Sequence, residues 1–66
     1  MTGQELKEAL MDGREVIHNG IAYKCVSAII YRRGEKGIRV TAELLDKNGP
    51  YVVIANAEKI MGVKHD

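Results

Sequence analysis

Ile21-Ala22-Tyr23-Lys24-Cys25-Val26-Ser27-Ala28-Ile29-Ile30-Tyr31-Arg32, then Ile38-Arg39-Val40-Thr41-Ala42-Glu43-Leu44-Leu45-Asp46-Lys47, is the stretch whose pairing decides the fold. Both runs carry a β pattern, and the glycine-flanked segment 33–37 between them predicts a hairpin loop. Two further turn signals flank the pair. Asn19-Gly20 and Asn48-Gly49 suit two-residue hairpins, because both central positions of a type I′ turn need positive φ. Three turns predict a four-stranded antiparallel meander over about 14–18, 21–32, 38–47 and 50–55. Pro50 then falls at the first position of the last strand, where a missing N–H is tolerated.

Ahead of the sheet, Thr2-Gly3-Gln4-Glu5 reads as a capping box. Leu6, Ala9 and Leu10 follow at helical spacing, and Asp12-Gly13 supplies a stop, which predicts a helix over about 3–11. So short a helix does not persist alone and must dock. Behind the sheet, residues 56–61 predict a single capped helical turn closed by Gly62, with 63–66 a frayed tail. The fold class is therefore α+β, mostly β, in a single domain spanning residues 1–66.

Turn positions imply a register. With the loop centred on Glu35, Ile30 faces Val40, Ala28 faces Ala42, Val26 faces Leu44 and Lys24 faces Asp46. Asn19-Gly20 adds Ile17 opposite Ala22 and Glu15 opposite Lys24, and Asn48-Gly49 adds Val53 and Ala55. This face is apolar in its middle, ends in a Glu15–Lys24–Asp46 charge cluster, and seats Leu6 and Leu10. The opposite face is not polar either: it carries Val16, Ile21, Tyr23, Cys25, Ile29, Tyr31, Leu45, Val52 and Ile54. One helix cannot cover both faces. Either the sheet curls into a small SH3-like barrel or a second subunit covers the second face, and both can hold at once. Ile29, Leu45, Val52 and Ile54 are the expected interface residues.

Composition narrows the function. A 66-residue chain buries only about 60% of its unfolded surface and needs reinforcement. Cys25 is the lone cysteine, so an intrachain disulfide is excluded, and His18 and His65 form no ligand pair. Self-association, as a homo-oligomer, is the remedy left. The N-terminus lacks a secretory pattern and no apolar run approaches a membrane span, so a cytoplasmic protein without membrane attachment is expected. A net charge of +1 gives no global drive toward nucleic acid.

Catalytic apparatus is not recognisable. Ser27 has no nearby His in this register, Cys25 sits mid-strand opposite Leu45, and Glu43 is a lone carboxylate. No enzyme, cofactor or metal site is expected. The suggestive grouping is basic and aromatic: Tyr31, Arg32, Arg33, Lys36 and Arg39, with Tyr31 opposite Arg39. Arginine donates two parallel hydrogen bonds to a phosphate, and tyrosine offers a stacking surface. Arg32 points the other way at the strand end, and Tyr23 with Lys24 repeats the aromatic–basic pairing at the far end of the strand. Tyr31, Arg39, Arg32 and Tyr23 are the expected ligand-binding residues. A solvated, charged hairpin tip accounts for the same residues about equally well.

The segments 3–10, Asp12-Gly13-Arg14-Glu15-Val16 and Ala42-Glu43-Leu44-Leu45-Asp46-Lys47-Asn48-Gly49 give the chain the look of small proteins from phages and prophages of Gram-positive bacteria. Over about its first 16 residues it is also similar to phage nucleotide sponges of the anti-Thoeris type. Those begin with a short helix ending in a glycine–basic–hydrophobic step before a sheet. The tryptophan expected after their first strand has no counterpart here, since the chain contains no Trp. The resemblance implies a non-enzymatic, anti-defence binding protein in the host cytoplasm, sequestering a small anionic, nucleotide-like signal. The alternatives are an SH3-like protein–protein interaction module acting on a host protein and a nucleic-acid-binding accessory domain.

Overall fold

The computed structural model describes residues 1–62; the tail 63–66, including His65, lies outside the described residues. One helix, α1 (Gly3–Asp12), precedes six strands: β1 (Val16–His18), β2 (Ile21–Tyr23), β3 (Cys25–Gly34), β4 (Gly37–Leu45), β5 (Val52–Asn56) and β6 (Ile60–Gly62). A 3-10 turn (Ala57–Lys59) links the last two. The strands form two three-stranded antiparallel sheets, ordered β2-β1-β6 and β3-β4-β5, which do not close into a barrel.

The helix begins and ends as its residues dictate. Thr2 Oγ1 accepts from the Glu5 amide at 3.1 Å, and the Glu5 carboxylate accepts from the Thr2 amide at 2.9 Å. Hydrogen bonds to the carboxylate from the backbone and then the side chain of Thr2 hold the Glu5 carboxyl below the usual carboxylate range. Gly13 adopts φ 65, in the left-handed region, and its N–H donates to the Ala9 carbonyl, closing the helix. The buried stripe is Leu6 and Ala9, which dock against β3.

Six strands replace the expected four for two reasons. The run 21–32 is not one strand: it bends at Lys24, so β2 stays with β1 while β3 enters the other sheet. The expected helical turn over 56–61 is only a short 3-10 turn, after which Ile60–Gly62 pairs with β1, His18 opposite Ile60. Ile60 is fully buried there, and burying one such side chain stabilises by about 1.5–3 kcal/mol. That gain outweighs the local helical preference of Ala57-Glu58-Lys59.

Of the three hairpin turns, Asn19-Gly20 has φ 52 and 74, as a type I′ turn requires. Asn48-Gly49 keeps its predicted register, Leu44 opposite Val53 and Ala42 opposite Ala55, but neither residue has positive φ. A two-residue turn there would need the N–H of residue 50, and Pro50 has none. The loop instead closes by the Asp46 amide donating to the Tyr51 carbonyl at 3.0 Å, with the Asn48 amide donating to Asp46 Oδ1 at 3.0 Å. Pro50 lies in this loop, and β5 starts two residues later than expected. The third turn is tighter than expected: Gly34 pairs with Gly37 around Glu35-Lys36.

That tightening has a counterpart lower in the hairpin. Cys25 pairs with Leu45 and Val26 with Leu44 as predicted, but the register shifts at Ser27, and from Ala28 opposite Glu43 onward every pair is displaced by one. A one-residue shift turns side chains to the other face. Ile29 and Tyr31 therefore join Val26, Val40, Ala42 and Leu44 on the helix side, whereas Ala28 and Ile30 go to the outer side. In the smaller sheet Ile17 lies opposite Ala22 as predicted, but the faces are exchanged: Val16 and Tyr23, expected on the opposite face, are buried with Ile60, and Ile17 and Ala22 lie on the outer side. The expected Glu15–Lys24–Asp46 cluster does not form; Glu15 pairs with Lys47 at 2.7 Å, and the Lys24 amide donates to the Leu45 carbonyl at 2.8 Å.

Leu6 is fully buried, whereas Leu10 is only half-buried at the edge of the core. Leu6→Ala should therefore cost about 2–5 kcal/mol, and Leu10→Ala clearly less. Denaturant melts of the two variants check this; an equal or reversed order would mean that the helix docks on a different face.

Candidate basic hairpin site

The β3–β4 hairpin runs beyond the helix, and residues 31–39 are all exposed. Across its end, Arg32 stands opposite Arg39, Arg33 opposite Ile38 and Tyr31 opposite Val40. The shift at Ser27 separates the residues expected to share a site. Tyr31 and Arg39 are not cross-strand partners: Arg39 projects from the outer side with Arg32, while Tyr31 turns to the helix side, its hydroxyl reaching over Gly3. Arg32, expected to point away from the cluster, is the residue that faces Arg39.

Two guanidinium groups directly opposite one another repel, and strands normally avoid that arrangement. Neither arginine has a carboxylate within ion-pair distance among the described residues, where the two ion pairs are Arg14–Asp12 and Lys47–Glu15. Arg32, Arg33, Gly34 and Arg39 line a shallow hollow of about 110 Å³. Chemically, the pair can present two planar forks to one anion, and each fork accepts a phosphate or carboxylate edge. Arg33 and Lys36 add charge nearby, opposed only by Glu35 in the tip itself.

The remaining expected ligand residue, Tyr23, lies elsewhere. It is 8% exposed, in the core opposite Val16, so its ring offers no stacking surface. The bend at Lys24 is what turns it inward. Glu43 is tied to Ser27, whose hydroxyl donates to its Oε1 at 3.1 Å and to its carbonyl at 3.2 Å.

On the outer side of the larger sheet, Cys25, Ala28, Ile30 and Leu45 are half-buried, while Val52 and Ile54 are 45% and 53% exposed. Of the four expected interface residues, Leu45, Val52 and Ile54 share this side; Ile29 packs against the core on the other. Sequence reasoning missed the cleft on the helix side of the hairpin. It has a volume of about 790 Å³ and lies between the tip and the segment around Met1, Gly3 and Asn56–Glu58. It exists because β4 continues past the end of β5, a consequence of where β5 stops rather than of any motif.

Arg39→Ala should relieve the cross-strand repulsion and raise the melting temperature by roughly 2–5 °C at low ionic strength. Added sodium chloride should narrow the difference through screening. Calorimetric scans at two salt concentrations check it, and a lower melting temperature for the variant would show that the pair is structurally satisfied. No family model, curated protein or solved structure matches this chain, so its site is defined by geometry alone.

Proposed function

We propose that this chain is a non-enzymatic binding protein of phage type that holds a small anionic, nucleotide-like ligand at the Arg32–Arg39 end of its hairpin. The observation that carries it is the cross-strand pairing of two arginines with no carboxylate partner among the described residues. A bound phosphate converts that repulsion into two charge-assisted contacts. The phage-like look of the N-terminal segment supports sequestration of a host signal, with the host cytoplasm as the place of action. No helix among the described residues is long and apolar enough to cross a membrane.

Loss of one charge-assisted hydrogen bond costs on the order of 1.5–3 kcal/mol, or about ten- to hundredfold in affinity. Calorimetric titration of a nucleotide panel should show that loss for both Arg32→Ala and Arg39→Ala, and a smaller one for Arg33→Ala. Equal affinities across wild type and all three variants would reduce the tip to a solvated loop, and no heat from any nucleotide would remove the ligand.

Homo-oligomerisation through the outer side belongs to the same proposal. Val52 and Ile54 stand exposed on an edge strand, next to half-buried Leu45. Ile54→Lys should dissociate the assembly, because an unpaired charge in an apolar interface is costly. Since Ile54 is exposed in the single chain, the monomer should stay folded. Sedimentation of wild type as a monomer at micromolar concentration would overturn this part.

A second reading, an SH3-like interaction module, is favoured by the strand order. β1 lies between β2 and β6, and a 3-10 turn precedes the last strand. This order supports an SH3-like arrangement with its sheets left open.

A further inference from the structure

The chain carries two Asn-Gly steps, Asn19-Gly20 and Asn48-Gly49, and the fold treats them differently. Asparagine before glycine is especially prone to ring closure, because no Cβ shields the glycine nitrogen from the neighbouring carboxamide carbon. Both asparagines are exposed, and neither carboxamide has a hydrogen-bond partner among the described residues. What separates them is the backbone. Closure brings the glycine nitrogen beside Cγ, which takes ψ far from its left-handed value, and with Cβ present that ψ is open only at negative φ. Asn19 has φ 52 and is fixed there by its type I′ turn, with His18 opposite Ile21. The strand before it, β1, lies between β2 and β6, and Val16, Tyr23 and Ile60 are buried beneath. Ring closure at Asn19 therefore requires this hairpin to open first.

Asn48 carries no such restraint. Its φ is not positive, and it lies in the loop that the Asp46 amide closes onto the Tyr51 carbonyl, outside the strand ladder. Its own amide donates to Asp46 Oδ1 at 3.0 Å, which holds the bend before Asn48 and not the Asn48–Gly49 bond. We propose that Asn48 is a site of spontaneous modification by water, and that the fold protects Asn19 from the same reaction. The Gly49 nitrogen, having lost its proton to hydroxide, attacks Asn48 Cγ; the bond from Cγ to the carboxamide nitrogen breaks, and that nitrogen leaves as ammonia. Water then opens the resulting five-membered imide. Attack at Cγ gives isoaspartate's regular isomer, aspartate, only when the bond from Cγ to the Gly49 nitrogen breaks; attack at the backbone carbonyl gives isoaspartate, whose main chain runs through the side-chain methylene. The net change is ammonia lost and water gained, with no oxidant or cofactor. Either product cancels the chain's formal net charge of +1 and sets a carboxylate near Asp46. Isoaspartate also adds one main-chain carbon between Asp46 and Tyr51, which loosens the start of β5 at Val52.

This inference is independent of the anion site and of any assembly. To test it, the full chain is held in mildly alkaline buffer, folded and, in parallel, in strong urea. Mass spectrometry then follows the fragments that carry Asn19 and Asn48. In the folded protein Asn48 should gain the amide-to-acid mass difference about tenfold or more faster than Asn19, which reacts only through hairpin opening. In urea, where both turns are lost, the two rates should converge. The Asn48 product should accept methyl groups from an isoaspartate-specific carboxyl methyltransferase, and its formation should speed up as pH rises, because the attacking nitrogen must lose a proton. Gly49→Ala shields that nitrogen. Its new Cβ meets only the Tyr51 ring, at 3.3 Å, a side chain that can shift, so the variant should fold. Its Asn48 should react about tenfold more slowly than in wild type. Equal rates at Asn19 and Asn48 in the folded protein would overturn the inference, as would an Asn48 that stays intact while the chain in urea converts. An unchanged rate in folded Gly49→Ala would overturn the ring-closure route.

Discussion

Ser27 is the one extra residue in the β3–β4 ladder, and the sidedness of the whole hairpin above it depends on how it is accommodated. Its hydroxyl donates to the Glu43 carbonyl and carboxylate, which gives the residue a place outside the regular pairing. With side chains alternating at a period of two, one unpaired residue reverses everything above it. Ile29 then turns inward beneath the helix, and Ile30 turns outward. At the hairpin end, Tyr31 is taken out of the arginine cluster and Arg32 is put into it. Core composition and site composition are thus set by the same local feature.

A second consequence is the division of apolar surface. The chain is too short to cover two faces of one long sheet, and it resolves this by bending at Lys24 and passing into a second sheet. Val16, Tyr23 and Ile60 close the core from the smaller sheet, joined by Leu6 and Ala9 from the helix. The terminal ammonium of Met1 donates to the carbonyls of Ala57 and Ile60, both at 2.7 Å, tying the helix start to the link between the sheets. What is left over is the outer side of β3-β4-β5, where Val52 and Ile54 remain exposed. Of the second apolar face expected from the register, Val52 and Ile54 remain exposed beside half-buried Leu45, a smaller surface than the unbent sheet would have left.

The proposed function draws on the part of the hairpin that the core does not hold. Residues 31–39 contribute no buried side chain, yet they carry an unmatched pair of arginines and an unmatched strand edge. Both are features that folding alone does not favour: like charges repel across strands, and a bare edge invites pairing. A bound group of negative charge would relieve the first.

Much of the molecule was legible in local sequence. The capping box of Thr2 and Glu5, the Gly13 stop and the Asn19-Gly20 turn are determined by interactions within a few residues, so their residue types suffice to specify them. The pairing of β4 with β5 was legible for the same reason, although the missing N–H of Pro50 opened the turn itself. The basic cluster could also be found, because charge is visible without a fold. Only the tertiary structure decided which of its members meet. The shift at Ser27, the bend at Lys24 and the recruitment of Ile60–Gly62 into a strand all answer to core packing between segments far apart in the chain. Contacts of that kind are chosen by the total burial they achieve, which no window of neighbouring residues contains.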